Sequence, residues 1–169
     1  MANLSKIGSD CKLYYDASPG DPSSRTYVLV SNAIDVELPL GKNTATFASR
    51  AGTWEASAGA HKTLEVSFGY EYQTTTATET TDAVMTALMS AYMNNTTLRW
   101  IVADDPINDT GIKWTGLEFY GEVSEFAQSQ PLQDAVTFNT TVVGVRYVYS
   151  GTLYEAQWVT ETGLTANLT

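Results

Sequence analysis

The chain has 169 residues, which is enough for one domain with a substantial hydrophobic core and few for two. Its apolar fraction of 43% excludes wholesale disorder, and no apolar run approaches the roughly 20 residues of a transmembrane helix. Nineteen acidic and nine basic residues give a net charge of −10, which disfavours tight binding to nucleic-acid phosphates.

The beginning of the chain is informative about compartment. The first residues contain no apolar segment of the signal-peptide type, so synthesis and folding in a cytoplasm are expected. Cys11 is the single cysteine, which excludes an internal disulfide and a thiolate zinc cluster.

Alternation of apolar and polar residues, which is typical of half-buried β-strands, dominates the chain. Between Ile34 and Leu40 the even positions are apolar, and the same alternation extends over ten residues from Thr63 to Tyr72. Further strands are predicted at Cys11–Tyr15, Thr26–Val30, Leu98–Ala103, Ile112–Trp114, Leu117–Phe126, Ala135–Val143 and Val145–Tyr149. Turn sequences rich in Pro, Gly and Asp separate these strands, so an antiparallel β-sandwich or a partly closed barrel is predicted.

The segment from Gly41 to Lys62 is rich in small residues and is predicted to be a long loop, with part of it paired as a strand near Thr44–Phe47. A loop of this length within a compact domain is usually functional or disordered. Phe47 and Trp54 argue against disorder, because a solvated loop gains nothing from large aromatic side chains. The loop is therefore expected to contact the surface of another subunit.

A single helix is predicted from about Thr81 to Met93, where the alternation stops. Its apolar residues recur with helical spacing, at Val84, Met85, Leu88, Met89 and Tyr92. Thr80 or Thr81 can cap its start, and Asp82 suits the positive end of the helix dipole. The pair of methionines is interpreted as part of a core face rather than as an adaptable binding face, because Met commonly fills irregular gaps in cores.

The segment from Gly151 to Thr169 carries large side chains beyond the last obvious strand, at Leu153, Tyr154, Trp158 and Val159. We expect residues 1–150 to form the main β domain and residues 151–169 to form a C-terminal arm that, like the loop 41–62, binds a partner surface.

No catalytic, cofactor or metal site is predicted. His61 is the only histidine and no nucleophile-elbow pattern accompanies it, so a loop position at a subunit contact is the preferred interpretation. Asp35 and Glu37, about 7 Å apart along a strand, have the spacing of glycosidase carboxylates, but a solvated strand face explains them more simply. The acidic run 104–109 lacks the EF-hand order of calcium ligands and is interpreted as a turn that contains Pro106.

The order of features between Ile34 and Val143 carries a family resemblance. An alternating strand leads into Ala48-Ser49-Arg50-Ala51-Gly52-Thr53-Trp54, and a Gly-containing loop, the strand Leu64–Tyr72 and one helix follow. The segment closes with Gly121-Glu122-Val123-Ser124 and Pro131-Leu132-Gln133-Asp134-Ala135-Val136-Thr137-Phe138. This order resembles that of the major tail proteins of long-tailed bacteriophages, which form the tail tube. These proteins often place Thr before the Arg-containing turn, where this chain has Ala48-Ser49.

The resemblance implies a β-sandwich or partly closed barrel with one flanking helix, assembled as stacked hexameric rings in the tail of the virion after assembly in the host cytoplasm. DNA would pass through the bore without specific binding, because six copies with a net charge of −10 would carry about −60 per ring. The tape-measure, tail-terminator and distal tail proteins would be further partners, and no membrane, enzyme activity or cofactor is implied. Contacts between subunits or rings are expected at Phe47, Arg50, Trp54, His61, Lys62, Tyr154 and Trp158.

Two other functions stay open from the sequence. A monomeric β-sandwich that binds carbohydrate or a protein ligand would account for four Trp and ten Tyr, although most of these lie in predicted strands, where core packing explains them. A hydrolase that uses paired carboxylates is disfavoured, because Glu118 and Glu122 lie about 13 Å apart along a strand and a solvated strand face explains Asp35 and Glu37.

Overall fold

In a computed structural model, the chain forms eleven strands and one helix within the described residues 12–16, 20, 25–48, 55–72, 82–107, 113–130 and 136–162. The elements are β1 (Lys12–Asp16), β2 (Tyr27–Leu29), β3 (Ala33–Glu37), β4 (Leu40–Ala48), β5 (Glu55–Glu71), α1 (Ala83–Asn94), β6 (Leu98–Ala103), β7 (Lys113–Ser129), β8 (Thr137–Gly144), β9 (Tyr147–Tyr149), β10 (Thr152–Tyr154) and β11 (Gln157–Thr162). Within these ranges, no helix has the length and apolarity that crossing a membrane would require.

Nine of the strands make one antiparallel sheet, whose main path runs β2-β1-β6-β7-β8-β5-β3. Strands β5 and β7 have 17 residues each, so each can pair with two shorter strands in succession along one side. On β7, β8 pairs with Gly121–Ser129 and β11 pairs with Lys113–Glu118. On β5, β3 and β4 follow each other in the same way. Strands β9 and β10 form a separate hairpin.

The sheet curls back on itself. The rings of Phe68 on β5 and Trp100 on β6 lie 6.3 Å apart, although β7 and β8 separate these strands in the sheet. The turn between β2 and β3 connects the two ends of the path, because the N–H of Val30 donates to the carbonyl of Leu13 and that of Glu71 donates to the carbonyl of Asn32. The predicted mainly β, sandwich-like fold with one helix is confirmed, and the sheet does not close into a barrel.

The main core lies between the two halves of the curled sheet and α1. Its fully buried members include Val66, Tyr70, Leu88, Trp100 and Val142. Burial of each large apolar side chain contributes about 1.5–3 kcal/mol. A second, smaller cluster packs on the other face of β1 and β6, and its members are Tyr14, Tyr27, Ile101, Ala103, Ile107 and Trp114.

The helix begins one or two residues later than the sequence predicts and is fixed to the sheet by its N-cap. The capping residue is Asp82, whose Oδ1 accepts a hydrogen bond from the N–H of Val84 at 2.9 Å. Its Oδ2 accepts from the hydroxyl of Tyr70 and from the amide of Asn32, so one carboxylate joins α1, β5 and the β2–β3 turn. The proposed cap at Thr80 or Thr81 lies outside the described residues.

Only half of the methionine prediction holds. Met85 is buried in the core, as predicted, but the side chain of Met89 is 44% exposed. The reason is that the core-facing stripe of α1 is narrow and is formed by Val84, Met85, Leu88 and Ala91.

The segment 41–62, predicted as a long loop, is mostly a β-hairpin. Strand β4 pairs with β5 from Leu40 opposite Leu64 to Ala48 opposite Glu55, and the strand predicted near Thr44–Phe47 lies within β4. Alternation failed to reveal these strands because Ala, Gly and Ser on β5 give no contrast between two faces. The pairing of β8 with β5 begins only at Glu65, so most of this hairpin extends beyond the strand that flanks it.

The described part of the predicted C-terminal arm folds onto its own chain, which corrects the expectation of an arm free to bind a partner. Strand β10 pairs with β9, and β11 pairs with the first part of β7. This part of β7 is an open edge beyond the end of β8, which gives β11 a place to pair. Residues 163–169 lie outside the described residues.

Candidate functional site

One half of the sheet has a face that points away from the core. This half consists of β3, β5, β8 and the second part of β7, and residues opposite each other on paired strands share a face. The rows that cross it are Glu65–Val143–Glu122, Ser67–Thr141–Glu125, Gly69–Asn139–Ala127 and Glu71–Thr137–Ser129. The next row on the other face, Val66–Val142–Val123, is buried in the core.

The outward rows make up what we call the acidic face. It carries Glu65, Glu71, Glu122 and Glu125, together with Glu37 of β3, which lies opposite Ser67. No residue in these rows is Lys or Arg, and the side chains between the carboxylates are small or neutral. This surface therefore presents negative charge to its surroundings and no cation that would hold a polyanion.

The same half of the sheet ends in two strand edges without a partner in the described ranges. Strand β6 pairs with β7 only as far as Gly121, so residues 122–129 of β7 have β8 on one side and none of the described strands on the other. At the opposite end, β3 and β4 pair with β5 alone. Unpaired edges are templates for pairing with another chain, and they occur here at both ends of one four-strand layer.

Large apolar side chains are exposed in three places on the described surface. They are Ile34, Val36 and Leu40 at the β3–β4 edge, Met89, Tyr92 and Met93 on α1 with Val143 on β8, and Val148, Tyr149, Leu153 and Trp158 on β9–β11. Contiguous exposed apolar residues commonly mark interaction surfaces.

The exposure of the β3–β4 edge corrects the expectation from its alternation, which predicted a buried apolar face from Ile34 to Leu40. Ile34 is 42% exposed and Leu40 is 58% exposed. Strand β3 lies at the edge of the sheet, and its pairing with β5 shifts register after Ile34, where Asp35 has a positive φ of 51°. The core therefore reaches this edge only through Ala33 and Leu38, which are partly buried against it.

A buried polar cluster surrounds Glu118 on β7. Its Oε1 lies 2.5 Å from Nη2 of Arg99, and both side chains are almost completely buried. The hydroxyl of Tyr27 and the amide of Gln157 donate to the same carboxylate, the latter at 3.2 Å. Burial, and then the charge of Glu118, raise the pKa of Tyr27 far above its ordinary value. The charges in this cluster are paired with each other, which is the arrangement of a structural ion pair.

Strands β9–β11 are held to the body of the molecule by polar and aromatic contacts. Nη1 of Arg25 lies 2.6 Å from Oε1 of Glu161 on β11. The ring of Tyr147 stacks on that of Tyr120 at 4.2 Å, and the ring of Tyr154 lies 6.0 Å from Tyr120. These contacts hold the C-terminal strands against their own chain.

The predicted contact residues fall into two groups of the described structure. Phe47 lies on β4 opposite Ala56, while His61 lies on β5 opposite Asn43 and the exposed Lys62 lies opposite Lys42. Arg50 and Trp54 lie outside the described residues. Tyr154 packs against tyrosines of its own chain, whereas Trp158 on β11 is 65% exposed.

The sequence reasoning missed the surfaces at the free edges, above all the exposed stripe of α1. Its members Met89 and Met93 are four residues apart on one side of the helix, and this spacing is the sequence feature that indicates an apolar stripe there.

The residues considered for chemistry take structural positions. Oδ1 of Asp104 accepts a hydrogen bond from the N–H of Thr115 at 2.6 Å, which joins the end of β6 to β7. Asn108 and Asp109 lie outside the described residues, and no group of three potential metal-ligating side chains occurs in the part of the chain that is described. Trp100 and Trp114 are fully buried, so core packing accounts for them.

No protein-family model matches the sequence, and no curated protein is significantly similar to it. Solved structures do share the fold. The tail of an empty gene transfer agent particle, determined with helical refinement and C6 symmetry, matches with a TM-score of 0.63 and 10% identity over 89% of this chain and 98% of that chain. The SPP1 tail tube matches with a TM-score of 0.67 and 12% identity over 95% of this chain and 81% of that chain. The 6-fold symmetrised baseplate of the anti-feeding prophage matches with a TM-score of 0.54 and 2% identity over 94% of this chain and 97% of that chain.

Proposed function

We propose that this protein is the structural subunit of a phage-type tail tube, which polymerises as stacked hexameric rings and encloses a bore through which DNA passes. The observation that carries the proposal is a four-strand layer with an acidic outer face and a free edge at each end. The fold shared with the tails described above supports it.

The two free edges favour a closed ring. They belong to different strands, so pairing the β7 edge of one copy with the β3–β4 edge of the next is a head-to-tail contact. Contacts of this kind generate a ring when the rotation between copies closes, and ring closure leaves no edge exposed. Six copies are the number supported by the C6 symmetry of the gene transfer agent tail and the 6-fold symmetry of the baseplate.

The acidic face is the surface that would line the bore. The other face of the same layer is covered by the core and α1, so only the acidic face is available to an internal channel. Five carboxylates per copy in six copies would place thirty around each ring. DNA phosphates would be repelled from such a wall and could slide along it without binding.

The remaining features of the molecule fit this structural role. The β4–β5 hairpin, with Phe47, Arg50, Trp54, His61 and Lys62, would contact the adjacent ring, and Tyr154 and Trp158 would lie at or near a further subunit contact. The protein would be located in the tail of the virion, with tape-measure, tail-terminator and distal tail proteins as further partners. This role involves no catalysis and no cofactor.

Electron microscopy of the purified protein over a range of concentrations tests the proposal. Negatively stained rings or hollow tubes are expected at high concentration, because pairing of the two edges depends on mass action. A monomer at every concentration, combined with saturable binding to a carbohydrate, would instead favour the monomeric binding module.

A further inference from the structure

The exposed side of α1 is an apolar surface that no described part of its own chain covers. Met89 is 44% exposed, Tyr92 39% and Met93 71%. Tyr92 also packs against Phe126 of β7, with ring centroids 6.2 Å apart, so this side of the helix lies along the free edge of β7.

A groove of about 650 Å³ runs between the end of α1 and this edge. Its lining comes from the end of α1 and the residue after it (Tyr92, Met93, Asn95), from the β7 edge (Glu122, Val123, Ser124) and from Val143 and Val145. We call these residues, together with Met89, the helix groove. Helix α1, which carries part of this lining, is fixed to the sheet at its other end, where Asp82 accepts hydrogen bonds from Tyr70 and Asn32.

The opposite edge of the layer carries an apolar counterpart. Leu40 lies opposite Leu64, which packs against the core, so Leu40 is on the core side of the sheet although its own side chain is 58% exposed. Leu38 packs against the core, and Val36 lies two residues before it, so alternation after the register shift puts Val36 on the core side as well. Val36 and Leu40 together are named the edge row.

We infer that the helix groove of one copy receives the edge row of the next copy. The inference rests on the proposed function, because it assumes that the β7 edge and the β3–β4 edge meet. Helix α1 covers the core side of β7, and the edge row lies on the core side of β5. Joining the edges therefore brings both apolar surfaces to the same side of the junction, where they extend the core from one copy to the next.

The charge distribution agrees with a second copy as the occupant. The edge row is neutral and apolar, as are Met89, Tyr92, Met93 and Val143. Glu122 is the one carboxylate of the helix groove, and it already accepts a hydrogen bond from the hydroxyl of Thr97 at 2.9 Å. The third apolar surface, on β9–β11, belongs to strands paired with the first part of β7 and with each other, and it lies outside the junction of the two edges.

Cross-linking between two single-cysteine proteins tests this contact. In a Cys11→Ser background, one full-length protein carries Met93→Cys and the other carries Leu40→Cys, and the two are mixed under conditions that allow assembly. A short bis-maleimide is expected to give a mixed dimer in at least tenfold excess over dimers formed by either protein alone, because the contact joins two different surfaces. Val148→Cys, on the exposed face of β9–β10, is the matched control and is expected not to link to Leu40→Cys.

The outcomes separate the inference from the proposed function. Tubes that form without the Met93–Leu40 link, or with an equally strong Val148–Leu40 link, would overturn the inference and leave the tail-tube role standing. The absence of both assembly and the link, for these proteins and for the unmodified chain, would overturn both. Tubes that form together with the selective link support both.

Discussion

Glu118 stabilises the folded chain through buried contacts that connect β7 to three other parts of the molecule. Its carboxylate is paired with Arg99, Tyr27 and Gln157 in a site from which water is excluded. Glu118→Ala would leave the guanidinium of Arg99 buried without its main counter-charge. Loss of one partner of a buried pair reduces the free energy of unfolding by about 3–5 kcal/mol. Urea unfolding followed by circular dichroism measures this loss, and the exposed Glu125→Ala is expected to change it by less than about 0.5 kcal/mol. Equal effects of the two substitutions would contradict a structural role for Glu118.

Buried tyrosines make the molecule sensitive to alkaline pH. Burial is the main cause that raises the pKa of both Tyr27 and Tyr70 above the ordinary value of 10.0. The charge of Glu118 raises the pKa of Tyr27 further, and the hydrogen bond to Asp82 does the same for Tyr70. Above that pH the unfolded chain loses protons that the folded chain retains, so the free energy of unfolding falls as the pH rises. The expected slope is about 1.4 kcal/mol per pH unit for each tyrosine. Urea titrations between pH 8 and pH 11 check this, and Tyr27→Phe is expected to reduce the slope by about one tyrosine's share. A stability that is constant over this range would show that the two hydroxyls ionise as readily in the folded chain.

At the level of elements, the β4–β5 hairpin is expected to serve assembly rather than folding. Most of it extends beyond the end of β8, and Trp54 lies in the segment that joins its strands. Trp54→Ala is therefore expected to slow polymerisation, measured by light scattering, and to leave the melting temperature of the monomer unchanged. Trp100→Ala is the contrasting control, because removing this fully buried side chain costs about 3–5 kcal/mol. Polymerisation at an unchanged rate, or a collapsed Trp54→Ala monomer, would contradict this assignment.

The elements also show how far the sequence predicts the fold. Alternation located β5 between Thr63 and Tyr72, and β-branched and aromatic residues located β6 from Leu98 to Ala103, because each of these segments packs large apolar side chains on the core. The first half of β5 was predicted as a loop, since a hairpin beyond the core needs no such face. The two segments predicted as separate strands around Gly116 form one strand, β7, in which this glycine allows the close approach of Val102.

The candidate surfaces were less predictable, because they depend on partners distant in sequence. Glu118 meets Tyr27 across 91 residues, so its burial follows from the fold and not from its own strand. The acidic face exists only because β8 pairs with both β5 and β7 in registers that place the glutamates of those two strands in the same rows. The free edge of β7 likewise follows from where β6 ends, which no local pattern encodes.

At the scale of the whole molecule, the net charge of −10 opposes the association that the free edges favour. Acidic faces of neighbouring copies would approach each other in a ring, and salt screens such repulsion over about 10 Å at 0.1 M. The concentration needed for tube formation is therefore expected to fall as sodium chloride is raised from about 10 mM to about 0.5 M. Sedimentation of polymer from monomer at each salt concentration measures this. A rise in the required concentration would indicate that attraction between opposite charges dominates assembly.

Reversing the charge of the acidic face tests whether that face lines the bore. Glu65→Lys and Glu125→Lys together change the charge of each copy by +4, which puts cations on rows that face away from the core. Tubes of this variant, assembled with a short DNA duplex, are expected to retain the duplex at low salt and to protect it from nuclease, because Lys binds phosphate. Thr152→Lys, Glu155→Lys and Ala156→Lys together also change the charge of each copy by +4, at exposed positions of β10 and the residues that follow it, outside the acidic face. This control is expected to leave the DNA accessible to nuclease. Equal protection of DNA by both variants would contradict a bore lined by the acidic face. Lysines would then retain DNA whichever of the two surfaces carried them.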